Sequence, residues 1–438
     1  MRKPRAQRPG QRHAHAHGSK LLSLVLLVTL SVTALAACTR RSDALRFATW
    51  GSVDEVALLK PLLRDFTDRR GIPVELVHIP EGYLQKLPIL FASRQAPDVL
   101  FLNNMTLPAY ADSGALLPLD SRLAGSSSLS EAAFFPQGLD AMRWKEALYA
   151  VPRDLSNLVI YVNRDMFAQA GLPLPRRDWT LPELLDVARQ LGGPPAAGKS
   201  ANPRHFGISF DKRPLFWLPY LWSDGGDLFD PSLTRSTLAE PAAIRALQFY
   251  ADLAHRHHVA PRETDTGNAP MAQLFAQGKL AMFVSGRWSV PGFRKNLAFD
   301  WDVWPFPAGS AGSIVDVDAS GWAISAQSPR PDEAWELIEH LAGQEASERF
   351  SAGGLIVPAR RDVAEDPAFL DPSLAPRGAR TFLDALATGR PTRTPPNWGE
   401  VTTVLDLELA PLWRGEASAS TVLPKAARRL DELLRQNP

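Results

Sequence analysis

The run Gln277-Gly278-Lys279-Leu280-Ala281-Met282-Phe283-Val284-Ser285-Gly286-Arg287-Trp288 decides the fold class. Met271, Leu274 and Phe275 lead into it as an amphipathic stretch. That stretch stops at Gly278, where a residue without Cβ takes the left-handed conformation that closes a helix. Leu280 to Val284 is then a short apolar run, the pattern of a strand buried in a sheet. Ser285-Gly286 marks a loop at the strand's carboxyl end, and an indole follows two residues later. In open α/β sheets, ligands bind where strands end. A large flat apolar ring placed there suits a ligand with a flat apolar face, such as a pyranose. A lone tryptophan is otherwise core, so the rest of the chain has to decide.

The 438 residues are 45% hydrophobic and 22% charged, an ordinary globular composition with length for two or three domains. The first segment departs from it. Arg2, Lys3, Arg5, Arg8, Arg12 and Lys20 are basic with no acidic residue among them, Leu21 to Leu35 is apolar, and Leu35-Ala36-Ala37-Cys38 closes the stretch. A basic start, an apolar core too short for a membrane span and small residues read as an export signal. Cys38 is the chain's one cysteine, so no internal disulfide is expected. Its place directly after small residues resembles the bacterial lipobox, whose cysteine receives lipid and becomes the first mature residue. Six of the 48 basic residues leave with the leader and none of the 47 acidic ones, so the mature charge is about −5. No basic stripe interleaved with aromatics is present, so nucleic acid is not an expected partner.

Further out, Leu45 to Thr49 reads as a buried strand followed by Trp50-Gly51-Ser52. Ser52 and Glu55 have capping-box spacing, and the helix after them shows Val56, Leu59, Leu63 and Phe66 on one face until Gly71. Ile72 to Ile79 is the second strand, completing the β-loop-α-β unit of a parallel sheet. Trp50, Gly51 and Ser52 then stand where backbone N–H groups at a helix start hold a hydroxyl or an anion. Val99 to Leu102 is another strand, ending at Asn103 and Asn104, whose amides donate and accept together. Turn-forming asparagines are the plainer alternative. Two extended runs flank Pro152-Arg153-Asp154, taken as the crossover between two lobes with Arg153 and Asp154 facing a cleft. Gly192 to Asn202 reads as a surface loop, and Phe206 to Phe210 as a short strand. Arg213 to Trp222 holds four aromatics before Ser223-Asp224-Gly225-Gly226. His255, His257 and His258 end a helix, where imidazoles suit the dipole. Their spacing lacks a zinc set, so no metal or cofactor is expected. Gly321 and Trp322 fall near another strand end, Arg360 follows Gly354-Leu355-Ile356-Val357-Pro358, and Trp398 precedes a long helix, Val401 to Trp413.

Several of these stretches, in order, resemble one family. They are the lipobox, Ala96-Pro97-Asp98-Val99, Tyr149-Ala150-Val151-Pro152, Asp224-Gly225-Gly226, and Gly278-Lys279-Leu280-Ala281-Met282 with Gly286 and Trp288. Gly321-Trp322-Ala323-Ile324 and Gly354-Leu355-Ile356-Val357-Pro358 continue the series. The family is that of the extracellular solute-binding lipoproteins of ABC importers, oligosaccharide-binding and maltose-binding-protein-like. Each motif is weak alone; the ordered set covers nearly all of the mature chain. The resemblance implies an α/β, two-lobe periplasmic-binding-protein fold of type II, hinged, with ligand in the interlobe cleft. It implies a signal peptide over 1–37 and a lipidated tether over 38–43. Lobe one is expected over 44–152 plus 315–359, and lobe two over 153–314 plus 360–438. A monomer is expected that captures a carbohydrate without altering it and delivers it to permease subunits, held at the membrane by lipid on Cys38. Trp50, Trp288, Trp322 and Trp398 are then the stacking candidates. Asn103, Asn104, Arg153, Asp154, Asp224 and Arg360 are the hydroxyl-binding candidates, with Gly51, Ser52 and Gly321 beside them. Where the family usually has Gly-Pro-Trp, this chain has Gly286-Arg287-Trp288, which adds a cation.

Three other functions stay open on the sequence. A glycerophosphodiester or other phosphorylated polyol would use Arg153, Arg287 and Arg360 as a phosphate clamp. A surface glycoside hydrolase would need a spaced carboxylate pair, although neither Gly-x-Ser-x-Gly nor His-Glu-x-x-His occurs. A sugar-sensing lipoprotein would share the fold.

Overall fold

The computed structural model describes residues 43–192, 205–267 and 269–436. The leader, Cys38 and all but the first residue of the Gly192 to Asn202 loop lie outside them. Strand β1 (Leu45–Thr49) pairs in parallel with β2 (Val74–His78) and β3 (Val99–Asn103). Helix α1 (Val53–Arg70) joins β1 to β2. The hydroxyl of Ser52 accepts the Glu55 N–H at 3.2 Å, and Gly71 at φ 70° ends the helix with its N–H on the Thr67 carbonyl. Val56, Leu59, Leu62, Leu63 and Phe66 form its buried face.

The chain then enters β4 (Ala150–Ser156) and β5 (Val159–Asn163). Helix α2 (Leu181–Leu191) opens on a capping box between Thr180 and Glu183. After it come β6 (Phe206–Ile208), α3 (Pro214–Ser223), α4 (Pro241–His255), α5 (Met271–Ala276), β7 (Leu280–Ser285), α6 (Val290–Asn296) and β8 (Trp301–Trp304). The last elements are β9 (Asp318–Ile324), α7 (Pro331–Ala342), α8 (Gln344–Ala352), β10 (Val357–Pro358), α9 (Trp398–Trp413) and α10 (Ala419–Gln436). Two sheets result. One has the order β10-β4-β9-β3-β1-β2 and the other β8-β5-β7-β6. Gly278, at φ 68°, is left-handed as its place between α5 and β7 requires, and every residue of β7 is buried.

Passage between the sheets begins four residues later than the sequence suggests. The expectation put it at Pro152-Arg153-Asp154; instead β4 stays in the first sheet to Ser156, which pairs with Asp318. Proline is tolerated inside a strand where the ladder is broken. Opposite Pro152 stands Gly321, and the register shifts between Ser320 and Gly321. The backbones approach so closely there that a Cβ on Gly321 would strike the Val151 carbonyl. Asn157-Leu158 is the first passage, the segment between β8 and β9 the second, and the chain beyond β10 the third. The core follows the same division. Phe47, Phe101, Trp322 and Phe350 lie in the cluster under the first sheet, which extends to one face of the second at Tyr161, Phe283, Phe293 and Trp301. Trp217, Tyr220, Tyr250 and Trp413 belong to a second cluster against α9 and α10.

Candidate functional site

Parallel pairing of β6 with β7 (Phe206↔Leu280, Ile208↔Met282) puts their carboxyl ends on one edge. The loops leaving that edge are tied together, since Ser209 Oγ accepts the Val284 N–H at 3.0 Å. Between them, α5 and α6 opens a groove of about 480 Å³ whose wall includes Ser209, Asp211, Arg213, Gln273, Trp288 and Asn296.

The loop that carries Trp288 is held from below. Tyr161 donates its hydroxyl hydrogen to the Gly286 carbonyl at 2.7 Å, and Ser285 Oγ is 2.8 Å from Ser289 Oγ. Arg287 turns inward, only 3% exposed, with its guanidinium 4.0 Å from the Phe369 ring centre and 5.4 Å from that of Phe382. Its Nε and Nη1 have no acceptor. Burial pulls its pKa down to about 10. Trp288 turns the other way and is 41% exposed, the one aromatic ring among the exposed large hydrophobic residues described. Its six-membered ring folds back over Gly286, where any Cβ would collide with it; this is why a glycine stands there.

Arg213 and Asp211 supply the charge in the groove. Arg213 Nε lies 3.0 and 3.2 Å from the two Asp211 oxygens and Nη2 is 2.6 Å from Oδ2. The forked hydrogen bond with Asp211 raises the Arg213 pKa. The pair is electrically balanced and offers planar donors and acceptors side by side. Asp211 and Arg213 are hidden when the strand is run to Phe210, as the sequence pattern suggests. The strand ends at Ile208, and a strand-end search begun there finds them.

The other expected residues are placed differently. Trp322 is fully buried, its ring 5.3 Å from Phe47 and 4.7 Å from Phe101, so it is a core ring and no stacking platform. Trp50 is half-buried, 4.5 Å from Phe101 and 5.1 Å from Tyr83. Trp398 is 9% exposed and packs in the helical cluster. The four indoles therefore do not meet in one crevice. Gly51, at φ 115°, has the Glu55 carboxylate where a Cβ would be, and Ser52 caps α1. Asn103 Oδ1 accepts from Thr106 N and Oγ1 at 3.1 and 2.8 Å, the plain turn role. Asn104 is buried and donates to Asp318 Oδ1 and the Thr392 carbonyl.

Arg153 lies inside lobe one, with its guanidinium 4.2 Å from the Phe101 ring centre and ion-paired to Glu55 and Asp154. Burial lowers its pKa and the two carboxylates more than restore it; burial raises that of Asp154. Arg360 forks onto Asp362 at 3.1 and 2.7 Å. Arg153, Arg287 and Arg360 are thus separately engaged and form no common clamp. Asp224 pairs with Arg245 at 3.5 Å in a different depression, beside Thr180 and Phe249. His255 bonds the Trp413 carbonyl and His257 contacts Arg189, so the imidazoles face different partners. Gly193-x4-Gly198-Lys199-Ser200 has P-loop spacing. It lies outside the described residues, and a helix precedes it and a strand follows, the reverse of the order that motif needs.

Two sheets joined by three passages, with a ring-and-dyad groove at one sheet's strand ends, define a two-lobed solute receptor. Residues 50–348 match the family model of the bacterial extracellular solute-binding proteins, and the chain belongs to that family. The galactooligosaccharide-binding protein of Bacillus subtilis is 23% identical over 433 residues, 93% of this chain and 96% of the relative. An ABC substrate-binding protein from Listeria monocytogenes, solved in complex with cycloalternan, superposes with a TM-score of 0.81 at 21% identity, covering 90% of this chain and 99% of that one. UgpB from Mycobacterium tuberculosis, solved with glycerophosphocholine, gives 0.75 at 24% identity, covering 90% and 99%.

Proposed function

We propose that this chain is the capturing component of an ABC sugar importer and takes an oligosaccharide in the groove beside Trp288. The observation that carries this is an indole 41% exposed at a strand end, facing a charge-balanced Asp211–Arg213 pair. A sugar ring lays its C–H face on the indole. Its hydroxyls take the place of water on the carboxylate and guanidinium, each of which pairs in planar, two-point fashion. Neither step needs a nucleophile, and closure of the lobes about the three passages completes the enclosure. The named relatives bind a galactooligosaccharide and cycloalternan, which supports the carbohydrate class. Lipid on Cys38 would hold the receptor at the membrane facing outward, beside its permease. No helix among the described residues is long and apolar enough to cross a membrane.

A thermal-shift panel of galactooligosaccharide, cycloalternan, maltotetraose and glycerophosphocholine tests the solute. A ligand present at about 100 times its Kd adds about 2.7 kcal/mol of stability. Stabilisation by at least one neutral oligosaccharide is expected. A shift with glycerophosphocholine alone would replace the sugar by a phosphodiester. Metabolic labelling with a fatty acid is expected to mark the wild type and leave Cys38→Ser unmarked.

A further inference from the structure

Three passages of chain join the two sheets, and two carboxylates tie the passages together. Asp316, in the second passage, is fully buried, and its Oδ1 accepts the Leu158 N–H of the first passage at 3.2 Å. Asp318 is 4% exposed. Its Oδ1 accepts the Thr392 N–H of the third passage and the Asn104 amide, both at 2.8 Å, and its Oδ2 accepts the Thr392 hydroxyl at 3.0 Å. Backbone bonds complete the lacing, from Arg390 N–H to the Val315 carbonyl at 3.0 Å and from Val317 N–H to the Arg390 carbonyl at 2.8 Å.

Two acceptors are left over in this junction. Asp316 Oδ2 and Asn157 Oδ1 are buried without a hydrogen-bond partner, while Asn157 Nδ2 is used on the Phe382 carbonyl at 2.6 Å. Asn157 directly precedes the residue whose amide holds Asp316. Neither acceptor has a donor in the fold, and a proton on Asp316 turns one buried acceptor into a donor.

We propose that Asp316 and Asp318 form a proton-binding site in the hinge, and that its occupancy sets how the two lobes are held. This rests on the two-lobe architecture and is independent of which solute the groove takes. The groups facing the pair are few. Asp316 meets the Leu158 amide and the charge of Asp318; Asp318 meets Asn104 and Thr392. The Arg390 side chain turns away, 4.4 Å from the Trp222 ring centre and 2.8 Å from Asp227. Burial pushes both carboxyls upward, and the neighbouring charge of Asp318 pushes Asp316 further. At a pH between the unfolded and the raised native values, the folded protein holds a proton that the unfolded chain has released. The stability this contributes is fully present below the ordinary carboxylate range and is lost as pH rises through the raised native value. Rotating the lobes lets water reach the carboxylates, and losing the burial that raised them lowers their proton affinity. The laced arrangement is the proton-loaded one.

Asp316→Asn keeps the shape and the Leu158 bond and supplies a permanent N–H in place of the proton. With no sugar present, Tm and the radius of gyration from small-angle scattering are measured from pH 5 to 8 for both proteins. Relative to the variant, wild type is expected to lose about 2–4 °C across that range. Its radius should match the variant's at pH 5 and depart from it at pH 8, while the variant holds its value. Parallel Tm profiles would remove the proton site, and a wild-type radius unchanged by pH would remove the link to the lobes. Asp318→Asn serves the same comparison if Asp316→Asn does not fold. Because no arm contains a sugar, a failed sugar panel leaves this test intact.

Discussion

Trp288 and Trp322 both follow a glycine at a sheet and end in opposite environments. Trp322 sits within β9, which has a partner on each side, with Trp322 opposite Phe101 and Val151. A side chain in such a strand has only the two sheet faces to choose from. The face it takes is covered by α8, whose Phe350 ring is 6.4 Å away. Trp288 comes three residues after β7 has ended, in a turn fixed by Tyr161 and Ser289, and no neighbouring strand dictates its direction. A few residues of strand length separate a ring that holds lobe one together from one free to meet a solute.

The largest expected effect follows from the buried member. Trp322→Ala empties the centre of a ring cluster shared by Phe47, Phe101 and Phe350, and truncating an aromatic of that size in a core costs about 3–5 kcal/mol. Urea unfolding should show that loss. At temperatures where the variant stays folded, solute affinity should remain within a factor of two or so of wild type, since the ring touches no part of the groove. A variant of unchanged stability with weakened binding would invert the comparison.

Much of the frame could be seen in the chain because it depends on local rules. Ser52 and Thr180 start helices through their hydroxyls, Gly71 and Gly278 end them in the left-handed conformation that a missing Cβ allows, and the short apolar run Leu280 to Val284 between turn signals reads as a buried strand. The site was harder because its residues are chosen by strand ends, which pattern places to within a few residues. Counting Ser209 and Phe210 into a strand hid Asp211 and Arg213, and putting the Gly321-Trp322 loop at a strand end exposed a ring that pairing buries. Asn103 and Asn104 show the same limit, since one residue of register sends the first to cap a turn and the second to lace the hinge. The partners of Arg153 and Arg360 come from distant positions or from their own loops, and no spacing rule reveals that they are already engaged.

Trp288→Ala is expected to have a middle-sized effect of the opposite kind. Trp288 is 41% exposed, and covering roughly 80 Å² of its ring with a ligand is worth about 2 kcal/mol at ~25 cal/mol per Å². Calorimetric titration of the sugar found in the panel should show Kd rising about thirtyfold. Tm should barely move, because a half-exposed ring leaves little behind when removed. Equal affinity in the variant would mean that the groove beside Trp288 is not where solute sits.

The smallest effect separates the presence of the ring from its aim. Gly286→Ala leaves Trp288 in the chain but puts a methyl group where its six-membered ring now lies. Backbone strain is not the issue, since φ at Gly286 is −96°, a value any residue adopts; the conflict is with the indole alone. The ring must swing outward, so part of the stacking surface is lost while the Asp211–Arg213 pair stays in place. About 1 kcal/mol of affinity, roughly fivefold in Kd, is expected to go, with a shift in tryptophan emission and little change in the urea midpoint. Affinity and emission both equal to wild type would show that the folded-back ring does not set the shape of the groove, leaving Trp288 a bystander at the strand end.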